Sequence, residues 1–323
     1  MRAVIATAAG GPEVLELVDR PEPAPGPGEI LVRHAAIGLN FIDIYQRTGL
    51  YPLTFPSPMG SEAAGVVEAI GADVARFKVG DRVAYASGPL GAYADAHVVK
   101  ADRAVRVPDG ISFEIAAGSL LKGMTAEYLV RRTFHVKAST PILVHAAAGG
   151  VGSILTQWAK ALGATVIGTV GSEAKVALAR AKGCDDVLVL GRDDAPARVR
   201  ALTGGAGVPV VYDSVGQATF EDSLASLARR GLLVCFGNAS GPVPPVDPLR
   251  LSRGGSLYLT RPTLADYIAT TEELDESAGA LFAVIASGRV KIDIGQSFPL
   301  ADVRAAHAAL EGRGTTGSTV LIP

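Results

Sequence analysis

Apolar residues recur at helical spacing through Ile154, Leu155, Trp158, Ala159 and Leu162, and short apolar runs flank that stretch on both sides. The run before it, Pro141-Ile142-Leu143-Val144, reads as a buried parallel strand, and the run over 164–170 as another. Between the first run and the helix lies His145-Ala146-Ala147-Ala148-Gly149-Gly150-Val151-Gly152-Ser153, and Gly163 stands where a helix C-cap belongs. Upstream the pattern changes. Residues 1 to about 120 hold short runs such as Ile30-Leu31-Val32-Arg33 and Gly65-Val66-Val67-Glu68-Ala69-Ile70, broken by Gly and Pro. Four prolines fall between Pro21 and Gly28, and Gly80-Asp81-Arg82-Val83-Ala84 reads as a turn entering a strand. Frequent turns and short strands predict a mostly β, barrel-like domain.

From about 123 to 260 strands alternate with helices. A helix is expected from near Gly123 through Val130, then the glycine-turn unit, then strands over 187–190, 208–213, 232–236 and 256–260. That alternation predicts an α/β, doubly wound parallel sheet whose ligand crevice lies at the strand C-terminal ends. Asp213-Ser214-Val215-Gly216 and Phe236-Gly237-Asn238-Ala239-Ser240 fall at two such ends. Helices over 274–287 and 303–311 follow, then a terminal strand over 318–322. A lone strand needs a partner sheet, so it is expected to return to the first domain. The resulting assignment is 1–122 completed by 265–323, with 123–264 as the parallel-sheet domain.

Strand, glycine turn, helix and strand within about 30 residues is the setting a dinucleotide fingerprint requires. Ala147-x-Gly149-x-x-Gly152 fits it with Ala at the first position. Gly149 and Gly150 are expected to let the backbone turn tightly and approach a pyrophosphate, with Val151 beside them. Gly152 is expected to let helix and strand pack closely, and the helix N-terminus faces the anion. The net charge of −2 with both signs mixed announces neither nucleic acid nor a membrane surface, and no apolar run approaches the roughly 20 residues of a membrane helix. Met1-Arg2-Ala3-Val4-Ile5-Ala6 has no long apolar core of a signal peptide. Only Cys184 and Cys235 occur, which fits a reduced cytoplasmic protein without a disulfide framework.

Together, Asn40-Phe41-Ile42-Asp43, Gly60-Ser61-Glu62-Ala63-Ala64-Gly65, Gly80-Asp81-Arg82-Val83, the 146–152 stretch with Gln157 and Lys160, and Phe236-Gly237-Asn238 resemble the zinc-free quinone oxidoreductases, the zeta-crystallin-like branch of the medium-chain dehydrogenase/reductase family. The resemblance spans nearly the full length. It implies a GroES-like domain plus a Rossmann domain, NADPH as reductant, a small quinone as substrate and a homodimer. It places Asn40 and Tyr45 beside the nicotinamide and the quinone, with Asp43 and Tyr51 in the same polar cluster. With the fingerprint and the strand ends, the cofactor residues expected are Asn40, Thr125, Gly149, Gly150, Val151, Gly171, Ser172, Lys175, Arg192, Ser214, Phe236, Gly237, Asn238 and Ser240. Relatives with catalytic zinc carry Cys at the place of Asn40 and Gly-His-Glu at the place of Gly60-Ser61-Glu62. Their structural zinc lobe has four closely spaced Cys, whereas the two cysteines here lie 51 positions apart. No metal ligand is therefore expected, and His34, His97, His135, His145 and His307 read as surface or packing residues.

Reducing an isolated ketone builds a localised alkoxide that calls for a Lewis acid or strong proton donor. A quinone or enone spreads the charge that hydride brings, so either suits a metal-free site better than an alcohol does. NAD enzymes place Asp or Glu about 20 residues after the glycines to hold the ribose 2′-OH. Here the strand ends Thr169-Val170-Gly171-Ser172, and Ser172 as N-cap would put Lys175 in the first turn, where the helix dipole disfavours a cation unless an anion binds there. Arg192 could add a second charge, and Glu173 keeps NAD as a rival. Asp43 and Arg47 stand at i, i+4, so a helix-surface ion pair is an equal reading of that part of the cluster. No Ser-His-Asp arrangement is visible. The alternatives carried forward are an NADPH-dependent enone or alkenal reductase and, from another class, a binding or structural protein. Relatives include lens proteins and RNA binding has been ascribed to the family, but the chain shows no basic stripe.

Overall fold

In the computed structural model, which describes residues 1–312 and 314–323, the N-terminal apolar runs pair into a seven-stranded sheet. Its order is Ile294–Pro299, Ser318–Ile322, Glu29–Leu39, Glu62–Ile70, Arg82–Ala86 and Ala104–Arg106, with Ala96–Lys100 also paired to Glu29–Leu39. Ile30, Val32, Ile37 and Leu39 share one core with Val67, Val83, Tyr85 and Leu321. The register of Glu29–Leu39 against Glu62–Ile70 shifts at Leu31/Val32 and at His34/Ala36. Such bulges bend a strand, which lets one long strand serve several neighbours. The terminal strand Ser318–Ile322 runs antiparallel to Glu29–Leu39 and parallel to Ile294–Pro299. Residues 1–124, 268–287 and 292–323 form this first unit, and residues 125–267 and 288–291 form the second.

The chain leaves the first unit within the helix Phe113–Tyr128. That helix begins ten residues before the Gly123 start expected from the sequence. Ser112 Oγ accepts from Ile115 N–H at 3.2 Å, and Ala116, Ala117, Leu120 and Met124 are fully buried at helical spacing. Small residues carry weak hydropathy, so the sequence pattern does not announce this face, although it is deeply packed.

The second unit is a six-stranded parallel sheet in the order Asp186–Val189, Thr165–Val170, Pro141–Val144, Val208–Asp213, Leu227–Cys235, Tyr258–Thr260. In chain order this is 3-2-1-4-5-6, the doubly wound arrangement whose order reverses between the first and fourth strands. Ile142, Leu143 and Val211 are fully buried, as strands covered on both faces require. The fifth strand starts at Leu227 rather than 232, its entry hidden by the polar pair Arg229-Arg230. No helix among the described residues is long and apolar enough to cross a membrane.

Candidate active site

The fingerprint turn opens where the strand Pro141–Val144 ends. Ala146 takes φ +53°, in the left-handed region, and its carbonyl accepts the Gly149 N–H at 2.8 Å. The tight turn expected of Gly149 and Gly150 is thus made by Ala146, and Gly149 spends its N–H inside the turn while serving as N-cap of the helix Gly150–Ala161. A Cβ on Gly152 would stand 2.2 Å from the Ala146 carbonyl oxygen, a backbone atom with no room to yield. Gly149, Gly150 and Val151 stay partly exposed above a buried Gly152. A helix N-terminus whose first N–H groups lack intrahelical acceptors lies there, the donor set a phosphate needs. Gly163, with φ +85°, ends the helix one residue after the Leu162 cap.

Below the turn runs a buried hydrogen-bond chain. His145 Nδ1 meets Thr169 Oγ1 at 2.9 Å, and His145 Nε2 meets Ser223 Oγ at 3.0 Å. Ser223 Oγ donates to Asp213 Oδ2 at 2.7 Å, so it accepts from His145 Nε2–H. The His145 imidazole, pushed down by burial, is neutral, and its Nδ1 accepts the Thr169 hydroxyl. Asp213 also accepts from Val215 N–H at 2.8 Å, Gly216 N–H at 3.0 Å and Thr219 Oγ1 at 2.8 Å. Ser, His and Asp therefore do meet here, contrary to the expectation that no such arrangement exists. The serine stands in the middle and all three are fully buried, so the chain braces the loop after Asp213 rather than presenting a nucleophile.

That loop carries Ser214, and the next strand end packs on it. A Cβ on Gly237 would lie 2.5 Å from the Ser214 carbonyl oxygen, and Phe236 N–H donates to Asp213 O at 2.8 Å. Ser240 Oγ donates to Val215 O at 2.7 Å and accepts from Ala218 N–H at 3.0 Å, which ties the two loops together. The Asn238 amide, oriented to accept from Arg261 at 3.2 Å, sits beside them, and Arg261 also donates to Cys235 O at 2.9 Å. Arg261 carried no sequence signal. Thr125 is buried in the helix Phe113–Tyr128.

At the end of the strand Thr165–Val170, Gly171 and Ser172 are exposed. Ser172 makes no capping bond from its side chain. A single tight turn over Glu173–Lys175 intervenes, and Lys175 is itself the N-cap of the helix Val176–Ala181. Ser172 thus stands as the expected N-cap, by its backbone alone, of the turn that holds Lys175, and Lys175 in turn heads the helix Val176–Ala181. Partial burial pushes the Lys175 amine down from its ordinary value. Arg192 pairs with Glu173 and, at 3.0 Å, with Asp193. Glu173, the rival to Lys175 for the ribose, therefore engages Arg192, the second charge expected beside Lys175.

In the first unit, Asn40 caps the helix Phe41–Arg47, and its N–H donates to Asp43 Oδ2 at 2.8 Å. Asp43 also accepts from Tyr93 OH at 2.9 Å and Ser61 Oγ at 3.3 Å. The helix-surface ion pair with Arg47 does not form, because both side chains point inward. Arg47, fully buried, donates to Gly10 O at 3.0 Å and His307 Nδ1 at 3.1 Å and pairs with Glu311. Arginine can only donate, so His307 Nδ1 accepts and its Nε2–H donates to Tyr93 OH at 3.2 Å. Burial pushes the Asp43 carboxyl up to about 6, and burial together with Arg47 pushes the His307 imidazole down to about 3. The Tyr45 ring meets the edge of Tyr51 at 5.3 Å between centroids and Phe41 at 6.1 Å.

Two further residues complete this cluster. Glu62 is fully buried, and its Oε2 accepts from Asn40 Nδ2 at 2.8 Å. Lys122 Nζ lies 3.9 Å from the same oxygen and donates to Leu39 O at 3.2 Å. Glu62 was legible only as part of a vanished zinc motif, and Lys122 had no periodic signal at all. Among the described residues no three His, Cys, Asp or Glu side chains gather as a metal site. Asn40 and Ser61 offer an amide and a hydroxyl, both already bonded within the cluster, so this donor set does not fit zinc.

Comparison with known proteins fits this geometry. Residues 26–140 match the alcohol dehydrogenase GroES-like domain and residues 150–282 match the zinc-binding dehydrogenase family. A quinone oxidoreductase of Pseudomonas aeruginosa is 55% identical over 317 residues, covering 98% of each chain. A 2-haloacrylate reductase of a Burkholderia species is 42% identical, covering 97% of this chain and 96% of its own. The crystal structure of Escherichia coli quinone oxidoreductase complexed with NADPH superposes with a TM-score of 0.98 at 50% identity, covering 100% of both chains.

Proposed function

The chain belongs to the quinone oxidoreductase branch of the medium-chain dehydrogenase/reductase family, and from that premise we propose that it reduces small quinones with NADPH and without a metal. NADPH supplies the hydride. The helix N-terminus behind Gly149, Gly150 and Val151 would hold the pyrophosphate, and the loops at Gly171–Ser172, Ser214 and 236–240 would line the rest. Gly152, which admits no Cβ, supports that fit. Lys175 would meet the 2′-phosphate, and Arg192 would join it on release from Glu173. Asn40, Tyr45 and Tyr51 would face nicotinamide and quinone, with Asp43 holding Asn40 in place. Aromatic edges around one polar amide suit a flat conjugated ring that ends in carbonyl oxygens.

The observation that carries the metal-free quinone reading is Asn40. Its amide is committed to Glu62 at the position where a metal enzyme of this family needs a ligand. Hydride delivery then depends on an acceptor that spreads its own charge. The 2-haloacrylate reductase relative favours a conjugated double bond as the second reading. Steady-state assays with NADPH distinguish the two. A small benzoquinone is expected to give kcat/KM at least about tenfold above an alkenal or haloacrylate, and the reverse order would assign the chain to double-bond reduction. A homodimer in a reduced, cytoplasmic setting completes the proposal, the setting supported by the buried free thiols of Cys184 and Cys235.

A further inference from the structure

A buried ion pair stands directly behind Asn40 and is unused by the proposed chemistry. Glu62 accepts from Asn40 Nδ2 at 2.8 Å, from Leu121 N–H at 2.6 Å and from Leu120 N–H, and Lys122 Nζ lies 3.9 Å from its Oε2. The backbone is shaped around this carboxylate. A Cβ on Gly38 would stand 2.3 Å from Glu62 Oε2, so glycine at that position leaves the carboxylate its space. Both charged groups are nearly out of solvent, at 0% and 8% side-chain exposure, which is a costly placement for two charges.

We propose that Lys122 and Glu62 are positioning residues that fix which way round the Asn40 amide stands. A carboxylate only accepts, so the Asn40 edge facing it must be the NH2 edge, and the carbonyl edge is thereby set as well. A protonated Glu62 could present an O–H instead, and only the Asp43 backbone N–H of the capping box would then hold the amide in one orientation. Lys122 keeps Glu62 an acceptor. The inference rests on the reading that Asn40 faces nicotinamide or quinone, because only then does its orientation matter to turnover.

The titratable surroundings of Glu62 are few. On the helix Phe113–Tyr128 it faces Lys122. From the helix Phe41–Arg47 it faces Asp43, whose charge opposes its own. Beyond Asp43 stand Tyr93, then His307 and Arg47. Burial pushes the Glu62 carboxyl up, while Lys122, the Asn40 hydrogen bond and the backbone N–H groups of Leu121 and Leu120 pull it back down. Removing the lysine leaves burial and Asp43 to act with less opposition, so the Glu62 midpoint moves upward.

The test uses the full chain with glutamate labelled at the carboxyl carbon, the Glu62 signal being the one absent from Glu62→Gln. In Lys122→Met the Glu62 signal is expected to titrate at higher pH than in the wild type, and the Asn40 side-chain amide signal to move with the same midpoint. With NADPH and benzoquinone, the acid limb of kcat/KM should shift upward by the same amount, falling about tenfold per pH unit below the midpoint. Glu62→Gln should remove that limb. The double variant Lys122→Met/Glu62→Gln, which leaves no unpaired buried charge, should fold at least as well as Lys122→Met and show no Glu62-dependent limb. An unshifted Glu62 signal, or an Asn40 amide indifferent to it, would overturn the proposal whatever the activity. Coupled signals in a wild type unable to reduce benzoquinone would support the positioning and sink the functional reading instead. Activity in Lys122→Met with the wild-type pH profile, alongside coupled signals, would also overturn it, since orientation would not reach turnover.

Discussion

At the residue scale, the proposed cofactor choice turns on Lys175 and Arg192. Lys175 heads a helix, where the dipole disfavours a cation, and Arg192 is held by Glu173 and Asp193. A 2′-phosphate would offer both cations a better partner than an exposed carboxylate does. Lys175→Ala is therefore expected to weaken NADPH binding about 10- to 150-fold, the equivalent of about 1.5–3 kcal/mol, while NADH binding barely changes. The ratio of the two dissociation constants checks this, and equal weakening would make Lys175 a structural residue. Asp43 carries a different residue-scale consequence. Its carboxyl is pushed from 3.8 in the open chain up to about 6 in the fold, so the folded state binds that proton more tightly. The stabilisation is complete below about pH 4 and is lost as pH rises through 6. Denaturation of wild type and Asp43→Asn in matched buffers should show the difference moving against wild type by on the order of 3 kcal/mol between pH 4 and 7. A difference independent of pH would mean that Asp43 ionises as freely in the fold as outside it.

At the scale of elements, the fingerprint turn combines Ala146 in the left-handed region with a glycine whose side-chain position is taken by a backbone oxygen. Gly152→Ala sets a Cβ 2.2 Å from a backbone oxygen, so the helix Gly150–Ala161 must shift away from its strand. The expected cost is about 1–3 kcal/mol of stability together with weaker NADPH binding. Gly150→Val, at the exposed first position of the same helix, should block pyrophosphate approach with the fold intact. Trp158, the single tryptophan, is buried in that helix, so quenching of its fluorescence by bound NADPH reports both variants. Unchanged affinity in a folded Gly150→Val chain would remove the turn from the cofactor site. The buried chain Thr169-His145-Ser223-Asp213 belongs to this scale too, since it ties three strand ends to one helix and holds the Ser214 loop.

For the whole molecule, the amide of Asn40 and the hydroxyl of Ser61 do not fit the zinc that the name of one matching family suggests. Dialysis against a chelator, with metal analysis before and after, should leave quinone reduction undiminished. Activity lost on dialysis and restored by zinc would show that the side chains around Asn40 rearrange to bind it. The edge strand Tyr258–Thr260 carries the exposed ring of Tyr258, and exposed edges of this kind are where a second copy can be accommodated.

The sequence by itself determined the element types, the alternation that makes the parallel sheet, and the place of the glycine turn, because periodicity and glycine spacing are local. The helix Val303–Glu311 and the strand Ser318–Ile322 were legible to the residue for the same reason. Only the tertiary structure decided which polar groups meet. Asp43 and Arg47 are one helical turn apart, yet burial sends one to Tyr93 and the other to His307 and Glu311. Glu62 and Lys122 are 60 positions apart and share one carboxylate oxygen with Asn40. A buried charge must find its partner wherever the fold brings one, and nothing in the local order of residues records that address.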